Sequence, residues 1–238
     1  MKGIGLLVLA CLLNACASFS TEPNAMPQRN GSSSINQLVK TDFDRMADVE
    51  LAENTQSLRT LMTKLYKRNP RELEKSGADS VEQMVEWVFE GEAKHHWRFK
   101  HIEKKQGTDA IFLAFDQQYL GDRVLPFIVG LQTMLAKAHN HQKEFFLTDQ
   151  SLDPQRLYNV ARNIEIAVWK LSNSRDANGN LYLLTNEINE TAHNLSFERA
   201  FGKMIGRTDL YAFALAEKSQ RLISRVMQNL ATAVFLPF

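Results

Sequence analysis

A chain of 238 residues, 44% apolar and 23% charged, carries enough apolar surface to close a core without metals or disulfides, so disorder along its whole length is disfavoured. Lysine and arginine number 28 against 27 aspartate and glutamate. That balance leaves no global field to attract polyanions, and nucleic-acid binding as the main role is disfavoured.

The chain opens with Met1-Lys2, an apolar run from Gly3 to Leu13, and Asn14-Ala15-Cys16. One basic residue, a short apolar run and small residues make the three-part layout of a secretory signal. The run is too short to span a bilayer core, which needs about 20 residues. The longest later apolar stretch, Val124 to Leu131, is interrupted by Pro126 and Gly130. Leu13-Asn14-Ala15-Cys16 resembles the lipobox of bacterial lipoproteins. A rival at Val8-Leu9-Ala10-Cys11 leaves too short an apolar run before it. The resemblance implies that residues 1–15 are a lipoprotein signal peptide and that Cys16 becomes the acylated first residue of the mature chain. Two or three acyl chains hold a protein at a membrane, at about 0.8 kcal/mol per buried methylene. Ala17, where an Asp would retain such proteins in the inner membrane, implies the outer membrane. Cys11 and Cys16 are the only cysteines. The mature body would then lack a free thiol, which excludes thiol catalysis and Cys-based zinc sites.

Residues 16–34 read as the lipidated Cys and a flexible linker. Ser18, Ser20, Thr21, Pro23, Asn24, Pro27, Asn30, Gly31 and Ser32-Ser33-Ser34 offer little to a core. Stretched, residues 17–34 reach about 60 Å; as a coil they average roughly 20–25 Å. Residues 35–238 read as one helical domain. Leu51, Leu58, Leu61, Met62, Leu65 and Tyr66 mark one helix face that ends before Asn69-Pro70. Ser80 caps a helix with Val81, Met84, Val85, Val88 and Phe89. Thr108 or Asp109 opens a run through Ile111, Phe112, Phe115, Tyr119 and Leu120. Asp122 opens another, which tolerates Pro126 only in its first turn. Asp153-Pro154 is an N-cap followed by proline at the first helical position, ahead of Leu157, Val160, Ala161, Ile164, Val168 and Leu171.

Towards the C-terminus, Ser196 caps a helix containing Phe197, Phe201, Met204 and Ile205 that stops near Gly206. Thr208 caps a last helix carrying Phe213, Ala214, Leu222, Ile223, Val226, Met227, Leu230 and Val234, with Lys218, Arg221 and Arg225 on its polar face. Such a helix docks on the core or lies on a membrane. Strand signals are sparse. Trp97 to His101 alternates weakly, and Asn178-Gly179 turns ahead of Leu181 to Leu184. The fold class is therefore all-α, a helical bundle or irregular helical array with at most one small β-hairpin. Lys64 to Pro70 loosely resembles the end of a tetratricopeptide unit, without a second copy at the required period.

Three constellations bear on chemistry. Glu92-Ala-Lys-His95 and Glu190-Thr-Ala-His193 are two Glu-x-x-His motifs, whose paired side chains share a helix face and reach one ion in ferritin-like bundles. Glu53 and Glu165 are conceivable extra ligands, but neither motif has apolar flanks. Lys94, Arg98, Lys100, Lys104 and Lys105 surround Trp97 and Phe99, a patch suited to lipid headgroups or phosphorylated lipopolysaccharide, or simply the solvated side of one element. Asp176 to Asn180 departs from the calcium-loop pattern and reads as a turn. Gly-x-Ser-x-Gly, His-Glu-x-x-His and phosphate-binding glycine loops are absent.

These readings predict a membrane-anchored lipoprotein facing the periplasm, a helical interaction or scaffold protein of the bacterial cell envelope. It has no cofactor and is more a binding protein than an enzyme. Its expected partners are the membrane, through the lipid, and a protein of the envelope. The alternatives are a metal-binding bundle or enzyme using Glu92, His95, Glu190 and His193, and a binder of anionic lipid or lipopolysaccharide using the basic patch.

Overall fold

The computed structural model describes residues 40–188, 193–225, 232 and 234–238. Cys16, the leader and the linker lie outside the described residues, as do Glu190, Val226, Met227 and Leu230. At Glu92 and His193 the backbone is described and the side chain is not.

The body is all-α. In chain order it runs α1 (Asp42–Arg68), α2 (Pro70–Ser76), α3 (Val81–Glu90), α4 (Glu92–His95), a 3₁₀ turn (Lys100–Ile102), α5 (Gly107–Ala114), α6 (Val124–Ala138), α7 (Pro154–Asn173), a two-residue antiparallel pair β1 (Glu187–Ile188) and β2 (His193–Asn194), and α8 (Ser196–Ser219). Local signals place most of the starts. Ser80 Oγ accepts from the Gln83 N–H at 3.1 Å. Asp153 Oδ1 accepts from the Gln155 N–H at 3.0 Å, with Pro154 at the first position. Asp122 Oδ1 accepts from the Val124 N–H at 2.8 Å and the Leu125 N–H at 3.4 Å. Pro126 thereby falls in the first turn, where its missing N–H costs nothing.

The four long helices close a ring in the order α1, α6, α7, α8 and back to α1. Neighbours run antiparallel. Tyr66 meets Asp122 and Glu50 meets His139 between α1 and α6. Asn54 meets Thr208, and Lys64 meets Ser196, between α1 and α8. Arg162 meets Asp209, and Tyr158 meets Phe213, between α7 and α8. Of the four, α6 is the most deeply buried, with its residues from Val124 through Leu135 all buried. Leu58, Leu61, Met62 and Leu65 face it from α1, and the Phe127 and Phe201 rings meet edge-on at 6.3 Å. Outside the ring, α3 packs on α1 and α5 on α6.

The approach of α5 to α6 turns on one glycine. A Cβ at Gly130 would sit 2.6 Å from the Gly107 carbonyl oxygen and 2.6 Å from Ile111 Cγ1. A backbone oxygen cannot swing aside as a flexible side chain can. Gly130→Ala is therefore expected to destabilise the body by about 1–3 kcal/mol, the usual cost of forcing volume into a packed core. Urea denaturation measures it.

Three expectations are corrected. Gly206 does not stop a helix and Thr208 does not cap one, because α8 runs unbroken from Ser196 to Ser219. Burial of Phe197, Phe201, Met204, Thr208, Tyr211, Ala212 and Leu215 at unbroken helical spacing outweighs the roughly 1 kcal/mol a helical glycine costs. The same helix ends before Leu222, Arg221 and Arg225. Gln220 turns left-handed at φ 51°, and the Arg221 N–H donates to the Ala216 carbonyl. There α8 reaches the first turn of its antiparallel partner α1, with Lys218 over the Phe43 ring. In the third case, Thr108 does not open α5. Its N-cap is Gln106, and Tyr119 and Leu120 fall in the loop beyond Ala114, with Leu120 exposed.

The alternation at Trp97 to His101 does reflect alternating burial, but no strand forms. Trp97 and Phe99 pack on Phe89 and Trp87 of α3, at 5.4 and 4.9 Å, and His96 and Trp97 take left-handed backbones. The turn at Asn178-Gly179 forms around Asp176, closed by a single bridge between Arg175 and Leu181.

Candidate functional site

A polar cleft of about 1260 Å³ opens at the C-terminal end of α1. One wall is α2. The other is the segment 175–184. Asn69 fixes both, because it ends α1 and also stitches the second wall on. Its Nδ2 donates to the Leu65 and Leu184 carbonyls at 2.8 and 2.9 Å, and its Oδ1 accepts from the Leu184 N–H at 2.7 Å. The tip of that wall is held by Asp176, whose Oδ1 accepts from the Asn178 and Asn180 N–H groups at 2.9 Å each. Those backbone donors, led by Asn180, hold its carboxyl below the usual range.

Arg123 and Glu72 form the floor. The Arg123 guanidinium donates to the carbonyls of Ala114, Asp116 and Tyr119 at 2.7, 2.9 and 2.6 Å and lies 4.1 Å from the Tyr182 ring centroid. The Arg123 backbone N–H donates to Glu72 Oε2 at 2.7 Å, and Lys75 pairs with Glu72 Oε1 at 2.6 Å. Both floor charges are therefore consumed by the fold. The rim differs. Arg71 is exposed and makes no polar contact among the described residues; Arg175 is exposed and donates only to the Gly179 carbonyl; Arg68 pairs with Glu187 at 2.6 Å. Rim cations outnumber rim acids, and the acids present are already bonded. The cleft suits an anionic group and offers it no general acid or base.

Behind the floor lies Asp122, raised to about 7 by burial, with the Tyr66 hydroxyl and the Val124 N–H opposing that shift. Tyr66 donates to its Oδ2 at 2.5 Å and is itself pushed well above its usual range by burial and by Asp122. Tyr119 is raised to about 12, again mainly by burial. Asp122 caps α6 from below and does not line the cleft.

A second polar cluster sits inside the ring. Glu50, Asn54, His139 and Thr208 are all buried. His139 Nε2 lies 2.8 Å from Glu50 Oε2, and His139 Nδ1 lies 2.9 Å from the Leu135 carbonyl. Both neighbours are acceptors, so both ring nitrogens carry protons when Glu50 is ionised. Burial pushes the imidazole pKa down. The Glu50 hydrogen bond, its charge and the Leu135 carbonyl push it up and prevail. Thr208 Oγ1 and Asn54 Nδ2 donate to Glu50 Oε1 at 2.5 and 2.6 Å, and Arg207 donates to Asn54 Oδ1 at 2.5 Å. The cluster ties α1, α6 and α8 together.

The residues singled out in the sequence fall elsewhere. His95 uses both ring nitrogens on backbone: Nδ1 accepts from the Trp97 N–H at 2.9 Å and Nε2 lies 3.1 Å from the Val88 carbonyl. A metal at His95 would have to displace one of those bonds. Its would-be partners Glu190, and the side chains of Glu92 and His193, lie outside the described residues. Glu53 sits on α1 beside Arg207 at 3.7 Å, and Glu165 on α7 beside Arg162 at 3.1 Å. Among the described residues no three metal-ligating side chains cluster, and no helix is long and apolar enough to cross a membrane. Lys94, Arg98, Lys100 and Lys104 are exposed above buried Trp97 and Phe99, while Lys105 pairs with Glu103 at 2.8 Å.

Comparison with protein-family models, curated proteins and solved structures found no match. The chemistry of the two polar clusters and the cleft therefore carries the functional reading. The inner cluster did leave a signal in the sequence, since Glu50 and Asn54 interrupt the apolar stripe of α1 four residues apart. The cleft left only Arg68, Arg71 and Lys75 clustered around Pro70.

Proposed function

We propose that the protein is a lipid-anchored helical interaction protein of the bacterial cell envelope, which faces the periplasm and receives an acidic segment of a partner protein in the arginine-rimmed cleft. The observation that carries this reading is the cleft itself: walls tied by Asn69 and, among the described residues, rim cations with no partner or a single one and no accessible acid–base pair. Cationic rims of this kind raise encounter rates and select anionic partners. The anchor is supported by the lipobox-like Leu13-Asn14-Ala15-Cys16.

Cross-linking in intact cells tests the partner. Arg71→Glu with Arg175→Glu should abolish the cross-linked adduct while leaving the melting temperature within a few degrees, since both side chains are exposed. An adduct that survives the double reversal refutes the cleft. Mass spectrometry of the native product tests the anchor, with a diacylglyceryl thioether expected at Cys16.

A second reading is favoured by the exposed Lys94, Arg98, Lys100 and Lys104, a basic patch that makes no ion pair among the described residues and fits anionic headgroups. Flotation with phosphatidylglycerol vesicles should then be lost on Lys100→Ala with Lys104→Ala, and in high salt.

A further inference from the structure

One stripe of α7 carries amide side chains that bond main chain far away in the sequence. Gln155, Asn159 and Asn163 stand four residues apart, so their side chains line up along the axis. Polar residues on such a stripe would ordinarily face water or a side-chain partner. Asn159 and Asn163 bond the main chain of residues 236–237 instead, and Gln155 bonds that of Ser224. Asn163 Oδ1 accepts from the Leu236 N–H at 2.7 Å and its Nδ2 donates to the Leu236 carbonyl at 2.8 Å. Asn159 Nδ2 donates to the Pro237 carbonyl at 2.7 Å. Gln155 repeats the two-way grip on Ser224, accepting from its N–H at 2.8 Å and donating to its carbonyl at 3.3 Å. A further bond from Gln155 Nε2 to Asn159 Oδ1, at 2.9 Å, links the stripe.

Such bonds read backbone, as an added β-strand does, and are blind to sequence. Selectivity comes from two aromatic seats. The Phe235 ring meets Phe112 edge-on at 5.2 Å. The Phe238 ring lies under Lys137 at 4.7 Å and against Gly107, where a Cβ would come within 3.0 Å of it. Between the seats Pro237 is exposed, and its carbonyl is the one main-chain polar group a proline keeps. Only Phe235, Leu236 and Phe238 are even half-buried, and Val234 is 67% exposed. A segment held by so little apolar burial opens at less cost than the core.

We propose that the amide stripe of α7, with the seats at Phe112 and at Gly107 and Lys137, is a docking groove for an extended aromatic-x-x-aromatic segment of a partner protein, and that residues 235–238 occupy it in cis. It is a separate surface from the arginine-rimmed cleft and does not rest on that reading. The cis segment acts as a competitor, and a partner of matching pattern displaces it.

Anisotropy of a labelled heptapeptide with the sequence of residues 232–238 tests this on the full chain. Phe235→Ala with Phe238→Ala empties the seats and should tighten peptide binding at least tenfold over wild type. Adding Asn163→Leu should reverse that gain, and a peptide with both phenylalanines replaced by alanine should not bind. A folded double variant that binds no peptide overturns the proposal. So does a concentration-dependent dimer that free peptide does not compete with, since the segment would then serve exchange between copies. Native-state hydrogen exchange of the wild type decides the case even if the double variant unfolds. The Leu236 amide should exchange at least a hundredfold faster than amides of α6, and exchange as slow as theirs overturns the proposal.

Discussion

Glu50→Gln is expected to lower stability at pH 6 by about 3–5 kcal/mol, the cost of leaving one partner of a buried ion pair uncompensated. The substitution keeps the shape and one carbonyl acceptor for Thr208 and Asn54. It removes the charge that holds the His139 imidazolium 2.8 Å away in a fully buried position. In a body of this size that loss corresponds to roughly 6–20 °C in melting temperature. His139→Ala should cost a similar amount, and the double substitution much less than the sum, because each single change already breaks the pair. Additive losses in the denaturation cycle would show that the two groups do not interact. The pH dependence has a definite sign. A histidine whose folded pKa is raised stabilises the fold fully below its unfolded value near 6.5, and that contribution is lost as pH rises through the raised value. The stabilisation from this pair therefore fades on the alkaline side.

The second large effect concerns Asp122. Its carboxyl is raised from the ordinary 3.8 to about 7, so the fold prefers it protonated. Its contribution is complete below the unfolded value and is lost as pH climbs from about 4 through 7, the reverse of the usual carboxylate. At about 1.4 kcal/mol per pH unit the loss approaches 4 kcal/mol. Asp122→Asn removes the titration. It keeps a side-chain oxygen for the Val124 and Leu125 N–H groups and a polar partner for the Tyr66 hydroxyl. The variant is expected to be more stable than wild type at pH 8, with the wild-type decline between pH 4 and 7 flattened. Urea midpoints across that range measure it, and a variant weaker than wild type at pH 8 would show that the fold favours the ionised carboxylate and does not raise its pKa.

The helical reading held where the signal was local. Ser80, Asp122 and Asp153 each satisfy orphan N–H groups from within two or three residues, so their effect does not depend on what packs nearby. The apolar stripe of α1 from Leu51 to Tyr66 is buried as its spacing implies. At α8 the local signal misleads. Gly206 and Thr208 look like a stop and a cap, yet Gly206 meets nothing and Thr208 is drawn into the Glu50 cluster. Burial against α1 and α7 exceeds the propensity cost, and no inspection of residues 196–219 alone contains those neighbours.

The contacts between residues far apart in the chain were the least legible. Glu50 and Thr208 are separated by more than 150 residues, Asn163 and Leu236 by more than 70. Amide side chains gripping a backbone leave no motif, because the partner contributes no side chain. His95 shows the converse. Its spacing from Glu92 suggested an ion, while the Trp97 N–H and the Val88 carbonyl already use its ring.

By itself, then, the order of residues determined the all-α class, the helix starts set by side-chain caps, and the apolar faces, because each depends on interactions within a turn or two. The ring of α1, α6, α7 and α8, the continuity of α8, the buried Glu50–His139 pair, the arginine-rimmed cleft and the grip of α7 on residues 235–238 were decided only by tertiary structure. Their energies come from groups far apart in the chain, brought together when the core closes.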